Sequence, residues 1–251
     1  MVLYGLILRM LHFLGLLRTC MHKLNKVLLS PGLIKNTKTT SQKFKEDVSG
    51  LKKRPLHLGL LIYEHEVSFS DVANIIVWAM AMGVNHITVC DRHGNFKRNE
   101  ENLRKEIKRS NKEHLGYDYK NYNAHIHSHN TKPQDIGYQP NSTHIQLHSI
   151  YDGRNKIVTT ARKLCQGVAT KTYKKEDIVP HNIDAILQDE SGFPDPDLVL
   201  RFGETESMLG FMPWQLRLTE ILSISSHHKF SYTSFLLALQ SYGNIEQRFG
   251  K

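Results

Sequence analysis

The sequence predicts an α/β fold, in which a single domain has a central, mostly parallel sheet flanked by helices and is preceded by an N-terminal hydrophobic helix. Short, nearly continuous apolar runs of strand length alternate with longer segments of helical periodicity, as in parallel sheets covered on both faces. The chain has 251 residues, 40% of them hydrophobic and 23% charged, which is typical of a globular domain with a substantial core. Its three cysteines lie far apart without a CxxC pair, so a disulfide framework is not expected.

The predicted elements begin at Pro55. A nearly continuous apolar run of strand length comes first, and Ser70-Asp71 is a good N-cap for the apolar helix that Gly83 closes. The later elements follow the same alternation of periods and turn residues. The expected strands are 56–63, 86–90, 144–150 and 197–202, and the expected helices are 71–81, 99–115, 154–173, 181–190 and a last one from about 232. The helix at 154–173 is expected to bury Val158, Ala161, Leu164, Cys165 and Val168.

The net charge of +9 is confined to the N-terminal part of the chain. Residues 1–55 carry eleven Lys and Arg against two acidic residues, and the remainder carries 22 of each kind. A neutral domain lacks the electrostatic footprint for binding a phosphate backbone. No nucleic-acid partner is therefore expected.

Residues 2–17 are apolar apart from Arg9 and His12, and basic residues follow them. The charge order is the reverse of a signal peptide's, because its positive charges precede the apolar run. The run is shorter than the ~20 residues that a straight spanning helix needs, so a tilted span and an interfacial helix both stay open. We expect a membrane anchor at 1–30 and a flexible basic linker at 31–54 that can rest on an anionic leaflet. The positive flank predicts that the domain at 55–251 faces the cytosol.

Three histidines alternate in the motif Ala-His-Ile-His-Ser-His, at His125, His127 and His129. On a strand they would share one face and could bind a transition metal. The neighbouring residues are polar and turn-forming, which favours a solvated loop. On that interpretation, replacing all three would change stability by no more than about 0.5 kcal/mol.

Several segments together resemble the cis-prenyltransferase family: LHLGLL, FSD, VWAMAMG, FKRN, PDPDLVLRFG, LGFMPWQLRLTEI and EQRFGK, in this order. The resemblance covers about 55–251 and is weak between about 117 and 145. It is closest to the accessory subunits of the heteromeric enzyme that makes dehydrodolichyl diphosphate. It implies the family fold, with Mg²⁺ and an allylic diphosphate held at the end of the first strand in catalytic members.

Two family signatures are depleted in this chain. Catalytic members have His, five residues, then Asp-Gly-Asn; aligned on His57, the last three positions hold Tyr63, Glu64 and His65. Glu64 is one residue from the Asp position, and successive side chains on an extended segment point to opposite sides, so it is not expected to replace the carboxylate. The homoallylic signature Arg-x-x-Gly-Glu-x-Arg-x-Ser keeps Arg201, whereas Thr205, Ser207 and Leu209 stand at the Glu, second Arg and Ser positions. The chain is therefore expected not to catalyse alone.

The C-terminal signature Arg-x-Gly is intact at Arg248, Phe249 and Gly250. In the family this motif reaches across the dimer into the neighbouring active site, so the resemblance assigns Arg248 a catalytic role and all three residues to substrate binding. A cation and backbone N–H groups suit a diphosphate, and Gly allows its close approach. The chain's own residues are expected to hold no metal.

The resemblance implies an obligate accessory subunit. Its catalytic cis-prenyltransferase partner would hold Mg²⁺ and condense isopentenyl diphosphate onto farnesyl diphosphate at the endoplasmic reticulum membrane, for dolichol synthesis and protein glycosylation. Residues 211–216 are expected in or beside the heteromer interface, because aromatic and Met side chains are enriched there. The alternative is a membrane-tethered receptor or scaffold that kept the fold without an enzymatic role.

Overall fold

Six parallel strands form one sheet in the computed structural model, which describes residues 41–127 and 141–246. The strands lie in the order β3-β4-β2-β1-β5-β6. Every neighbouring pair is parallel, so the chain crosses back over the sheet between strands. The strands are β1 His57–Ile62, β2 His86–Asp91, β3 Asn123–His127, β4 Ser142–Ser149, β5 Leu198–Phe202 and β6 Glu220–Ile224. The parallel-sheet prediction is confirmed.

Helices cover the sheet on both faces. Their bounds are α1 Ser41–Ser49, α2 Phe69–Ala81, α3 Asn95–Arg98, α4 Glu100–Leu115, α5 Asp152–Ala169, α6 Pro180–Ser191 and α7 Tyr232–Gly243, with two short 3₁₀ segments at Gly116–Asn121 and Lys175–Asp177. All five helices predicted between 71 and 251 appear, with ends shifted by a few residues. The N-cap of helix α2 is Ser68, two residues before the predicted Ser70, because the Ser68 hydroxyl accepts the Asp71 N–H at 3.2 Å.

The central strand β1 is buried along its whole length, which explains its continuous apolar run. One face of the sheet meets α2 and α7, where Trp78 and Phe235 pack with their ring centroids 6.1 Å apart. The other face meets the segment that carries Phe211 and Met212. These two side chains are 1% and 5% exposed within this chain, so they belong to its own core rather than to a surface open to a partner.

Residues 41–54 are not a free linker, which corrects the predicted boundary at residue 55. Residues 41–49 form helix α1, and its Phe44 is only 1% exposed. The Phe44 ring meets the edge of Tyr232 at 5.0 Å, and the Tyr232 hydroxyl donates to Asp47 at 2.6 Å. Phe44, together with the partly buried Val48 and Leu51, therefore docks this segment on the core.

The histidine segment is a strand as far as it is described, so the solvated-loop interpretation is wrong for His125 and His127. Both lie on β3, an edge strand of the sheet, and His127 is only 6% exposed. His129 lies outside the described residues. The polar neighbours of the motif concealed the strand, because only Ala124 and Ile126 of its five residues pack against the core and the rest is organised by pairing with β4.

The predicted apolar face of helix α5 is only partly buried. Leu164 is buried, but Val158 is 47% exposed and Cys165 is exposed. The buried positions are Thr160, Leu164 and Gly167, and the last lies directly under the Tyr173 ring. The apolar residues of α5 are mostly small, so their pattern was a weak guide to the buried face.

The predicted anchor helix at 1–30 lies outside the described residues. Over 41–127 and 141–246, none of the helices combines the length and apolar character needed to cross a bilayer.

Candidate functional site

The carboxyl ends of the six strands meet at one edge of the sheet, where open α/β sheets bind ligands. The segment after β1 brings Tyr63 and Glu64 to this edge, and Arg92 follows β2. The end of β5 adds Arg201, and the segment after β6 adds His227. These residues include the positions aligned with the depleted first-strand signature. Whether they can bind a diphosphate depends on which of their polar groups are still available.

Tyr63 occupies the position of the family aspartate. Its backbone N–H donates to the Phe202 carbonyl at 3.1 Å, which continues the pairing of β1 with β5. The Arg92 guanidinium lies over the Tyr63 ring at 5.2 Å from the ring centroid. Tyr63 therefore places an aromatic ring where the family has a carboxylate, and this ring takes up the nearby cation.

Glu64 is held by the segment between β6 and α7. Its carboxylate accepts from the Ser226 hydroxyl, from the His227 backbone N–H at 2.9 Å and from His227 Nδ1. His227 Nε2 accepts the Ser68 N–H at 2.9 Å, which places the ring proton on Nδ1, facing Glu64. We call Glu64, Ser68, Ser226 and His227 the Glu64 clasp. It ties the segment after β1 to the start of α2 and to the segment before α7.

The Glu64 clasp also keeps the Glu64 carboxylate ionised at the carboxyl edge of the sheet. Burial raises the pKa of Glu64, but the hydrogen bonds from His227 and Ser226 outweigh burial, so its net pKa is below the usual 4.5. The carboxylate is therefore ionised at neutral pH. Its acceptor positions are occupied by donors of this chain, as expected of a structural anion rather than of a metal ligand.

Asp91, at the end of β2, has a similar structural role. Its side chain accepts backbone N–H groups of His93, Asn95 and Phe96 at 3.2, 2.8 and 3.3 Å. Asp91 therefore closes the turn into α3, where Gly94 adopts a positive φ of 67°. It contributes no free carboxylate to the site.

Arg201 is the retained residue of the homoallylic signature. It is only 7% exposed, and one guanidinium nitrogen donates to the Ser223 hydroxyl on β6 at 2.6 Å. Its buried Nε has no hydrogen-bond partner among the described residues, and burial lowers its pKa against the opposing effect of Glu206. Leu209, at the Ser position, has a positive φ of 49°, and its N–H donates to Ser207. Arg201 is thus present without the Glu, second Arg and Ser that accompany it in catalytic relatives.

The residues at this edge do not fit the Mg²⁺ that the family uses. Magnesium prefers carboxylate oxygens that can keep an octahedral, partly hydrated shell. The carboxylates of Glu64 and Asp91 are already held by N–H and O–H groups of this chain. Tyr63 contributes no carboxylate. We therefore derive no catalytic step through Mg²⁺ for this chain.

Removing the Glu64 carboxylate is expected to destabilise the fold. Glu64→Gln would point an amide donor at the His227 ring proton, and unsatisfied buried donors cost about 1–3 kcal/mol. We expect a loss of about 2 kcal/mol in the free energy of unfolding, measured in urea. The exposed neighbour Glu66, changed to Gln, is the matched control. Equal unfolding midpoints for the two variants would show that the Glu64 clasp contributes nothing to stability.

His57, the first residue of the aligned signature, lies at the opposite end of β1. Its Nδ1 lies 2.6 Å from the Pro194 carbonyl, and its Nε2 lies 2.8 Å from the Thr88 hydroxyl. Burial is the main cause that lowers the pKa of His57 from 6.5 to about 3. The ring is therefore a neutral structural bridge between β1, β2 and the segment before β5, and it does not touch the candidate site.

This burial predicts a pH dependence. In the unfolded chain His57 takes up a proton below about pH 6.5, and in the folded chain only near pH 3. The contribution of the neutral His57 ring to the free energy of unfolding is therefore complete above pH 6.5 and is lost as the pH falls toward 3. The free energy of unfolding falls by about 1.4 kcal/mol per pH unit in this window. The His57→Gln variant has no imidazole at this position, so its stability lacks this pH dependence. We expect the stability difference between wild type and His57→Gln to narrow from pH 6.5 to pH 4.5, and parallel curves would contradict it.

The structure brings together Tyr63, Glu64 and Arg201 from the sequence analysis, but it leaves Arg248, Phe249 and Gly250 outside the described residues. Sequence reasoning missed Arg92, Ser223, Ser226 and His227. Each lies at or just after the carboxyl end of a strand, so the parallel order of the strands was the signal that could have identified them.

Comparison with known proteins gives a consistent result. Residues 59–250 match the prenyltransferase family model described as "Putative undecaprenyl diphosphate synthase". The mouse dehydrodolichyl diphosphate synthase complex subunit Nus1 is 43% identical over 211 residues, which cover 83% of this chain and 70% of that protein. The human subunit of the same name is 41% identical over 213 residues, which cover 83% of this chain and 71% of that protein.

Among solved structures, lavandulyl diphosphate synthase from Lavandula x intermedia has a similar fold. The TM-score is 0.58 at 21% sequence identity, covering 79% of this chain and 99% of that structure. At this identity the similarity concerns the fold alone.

Proposed function

Because the chain belongs to the cis-prenyltransferase family, we propose that it is the non-catalytic accessory subunit of a heteromeric dehydrodolichyl diphosphate synthase. Its catalytic partner would carry the Asp signature, hold Mg²⁺ and condense isopentenyl diphosphate onto farnesyl diphosphate. The product would serve dolichol synthesis and protein glycosylation. The names of the mouse and human relatives, both subunits of such a complex, support this assignment.

The Glu64 clasp is the observation that carries the non-catalytic part of the proposal. In catalytic relatives the segment after β1 must stay open to receive an allylic diphosphate. Here Glu64 is bonded to Ser226 and His227, and Tyr63 is stacked with Arg92. Binding a diphosphate would require breaking these contacts and bringing two anions together at the same edge, which is unfavourable.

The position of the end of helix α7 supports a role for Arg248 in the partner's site. Helix α7 starts beside the Glu64 clasp and returns to the amino end of the sheet, where the Lys53 ammonium donates to the Ile245 carbonyl at 2.9 Å. The six residues of β1 separate the two ends of the sheet by roughly 17 Å. From Glu246 to Arg248 the backbone extends at most about 7 Å. This length of chain is shorter than the sheet, which favours action of Arg248 across a subunit interface.

The β6 edge of the sheet is a suitable place for the partner. Among the described strands, β6 pairs only with β5, so its outer side offers backbone donors and acceptors. Leu218 is 61% exposed and Ile221 is 38% exposed beside this edge. Trp214 is half-buried, and its indole N–H donates to Asp184 of this chain. We therefore assign contact with the partner to Leu218 and Ile221 rather than to Phe211 and Met212.

We further propose that residues 1–30 anchor the subunit to the endoplasmic reticulum membrane with the domain facing the cytosol. The apolar run at 2–17 and the basic residues after it support this topology. Such an anchor would hold the complex where its long apolar product partitions. Residues 31–40 would connect this anchor to α1.

A three-way assay tests the function. Incorporation of labelled isopentenyl diphosphate into long-chain product is measured for the purified chain, for the catalytic subunit and for the two co-purified. We expect no turnover from the chain alone and much higher turnover from the complex than from the catalytic subunit alone. Turnover by the chain alone would contradict the non-catalytic assignment. A complex that forms but is no faster than the catalytic subunit would favour the scaffold alternative.

A further inference from the structure

The described chain begins at the amino end of the sheet. Ser41, the first described residue, donates its hydroxyl to Asp118 in the 3₁₀ segment just before β3. Helix α1 follows, and the chain then enters β1 at His57. Because all six strands are parallel, the segment before β3 and the start of β1 lie at the same end of the sheet. The anchor proposed for residues 1–30 therefore leads to this end, opposite the carboxyl edge that holds the candidate site.

Basic side chains are concentrated where the chain enters the domain. Lys45 on α1, Lys52 after it and Lys120 in the 3₁₀ segment are exposed. Lys45 pairs with Asp118 at 3.6 Å, whereas Lys52 has no hydrogen-bond or ion-pair partner among the described residues. Residues 18–40 carry five further Lys and Arg and no acidic residue. The charge at this end therefore has the sign that anionic lipids attract.

Acidic side chains at the amino end lie mainly on its other side. Asp197 precedes β5 and Glu220 begins β6, next to the edge assigned to the partner. Residues 41–54 hold five Lys and Arg against Glu46 and Asp47, a surplus of three positive charges. The positive part of the amino end is thus the part next to α1, and it does not overlap the proposed partner edge.

Two large apolar side chains are exposed among these basic residues. Leu56 is 49% exposed directly before β1, and the Tyr117 side chain is fully exposed in the 3₁₀ segment. Arg54 stands two residues before Leu56, and Lys120 stands three residues after Tyr117. Lys and Arg next to exposed aromatic and aliphatic side chains are typical of surfaces that lie at a membrane interface.

A cavity of about 430 Å³ opens to solvent beside Leu56. Its lining includes Val48, Gly83, Asn85 and the residues from Lys52 to Leu56. Arg54 donates to the Met82 carbonyl at 3.1 Å, which uses one of the five N–H groups of its guanidinium. Lys53 is already used within the domain, because its ammonium donates to the Ile245 carbonyl. Lys52 and Arg54 are therefore the side chains that can bind a phosphate in this cavity.

We propose that this part of the amino end, from α1 to the 3₁₀ segment that holds Tyr117, binds the surface of an anionic phospholipid membrane. We call it the amino face. Lys52 and Arg54 bind lipid phosphates there, and Leu56 and Tyr117 enter the headgroup region. The inference rests on the anchor of the proposed function and adds the surface of the domain that lies on the leaflet.

The amino face decides an orientation that the anchor alone leaves open. Residues 18–40 would span up to about 80 Å if they were fully extended, so a tether of this length does not fix how the domain is turned. Contact through the amino face turns the carboxyl edge, with Tyr63 and Glu64, away from the leaflet. It also leaves the β6 edge accessible to the partner.

The test uses the full chain reconstituted in two kinds of nanodisc, one of phosphatidylcholine alone and one that also contains phosphatidylserine. A small amine-reactive reagent labels lysines, and mass spectrometry gives the labelling rate of each. We expect Lys52 and Lys120 to react at least about fivefold more slowly when phosphatidylserine is present, and high salt to reduce the difference. Lys229, exposed at the carboxyl edge before α7, is the matched control and should react equally in both nanodiscs.

Two sets of variants test the charges and the exposed ring separately. Lys52→Glu combined with Lys120→Glu should remove the effect of phosphatidylserine on the labelling of Lys45, whereas Lys229→Glu should not. The fluorescence of Tyr117→Trp should be quenched by brominated lipids more strongly than that of the wild-type chain, whereas Lys229→Trp should add no quenching. Circular dichroism establishes that each variant is folded.

The outcomes separate the amino face from the rest of the proposed function. Equal labelling of Lys52 in the two nanodiscs, with the chain still bound to them, overturns the amino face and leaves the anchor intact. Slower labelling of Lys229 instead of Lys52 also overturns it, because the domain would then be turned the other way. Release of the chain from both nanodiscs overturns the anchor and the amino face together. The three-way assay tests the accessory role independently.

A protein partner on the amino face would give a different result. If the catalytic subunit slows the labelling of Lys52 in detergent without phospholipid, this surface belongs to the subunit interface and the proposal is wrong. If Lys52 is labelled at the same rate with and without the catalytic subunit, and is protected only by phosphatidylserine, the membrane is the partner of the amino face.

Discussion

Changing Arg248 to Ala in the co-purified complex is expected to lower its turnover at least about a hundredfold while leaving assembly intact. A cation held against a diphosphate in a closed site stabilises the transition state by several kcal/mol, and each 1.36 kcal/mol corresponds to about tenfold in rate. Arg248 lies beyond α7 and two residues after Glu246, the last described residue, so its loss should cost little folding energy. The measurement compares turnover and the apparent KM for isopentenyl diphosphate.

Two further variants separate charge from geometry. Arg248→Lys should recover only part of the rate, because a planar fork that grips two phosphate oxygens becomes a point charge. Lys251→Ala removes a cation three residues further on and should leave turnover close to wild type. Wild-type turnover by the Arg248→Ala complex would show that the tail does not complete the partner's active site.

Replacing Phe44 with Ala is expected to destabilise the domain by about 3–5 kcal/mol, the usual cost of removing a buried aromatic side chain. The ring is 1% exposed and meets Tyr232 edge-on, so its loss leaves a cavity between α1 and α7. Lys45→Ala on the same helix is the matched control: its ammonium is exposed and pairs with Asp118 at 3.6 Å. Chemical unfolding of the two variants measures the difference.

The same contact predicts where the folded domain begins. A chain shortened to start at residue 55 lacks Phe44 and Asp47, and it should unfold at lower denaturant concentration than one that starts at residue 41. Equal stability of the two shortened chains would restore the boundary that the sequence suggested. It would also show that α1 is only loosely attached to α7.

The depleted signatures show how far sequence patterns could predict the site. Tyr63 and Glu64 differ in chemistry from the family Asp and Gly, and the homoallylic signature has lost its Glu, second Arg and Ser; these differences together predicted that the chain does not catalyse alone. The structural role that Glu64 has instead could not be predicted, because its partner His227 lies 163 residues away in the chain. Only the parallel order of β1, β5 and β6 brings them together.

The sequence by itself determined the α/β class and the order of most helices and strands, and it predicted that the chain does not catalyse alone. Each of these depends on local periodicity or on residue identity at aligned positions, which need no knowledge of distant contacts. Tertiary structure decided where α1 packs, that β3 is a strand, and that His125 lies beside His144. These features depend on a few isolated buried side chains, such as Phe44 and Ile126, and on backbone pairing between strands. Neither kind of contact leaves a periodic apolar pattern in the sequence, because the stabilising contacts are made with residues far away in the chain.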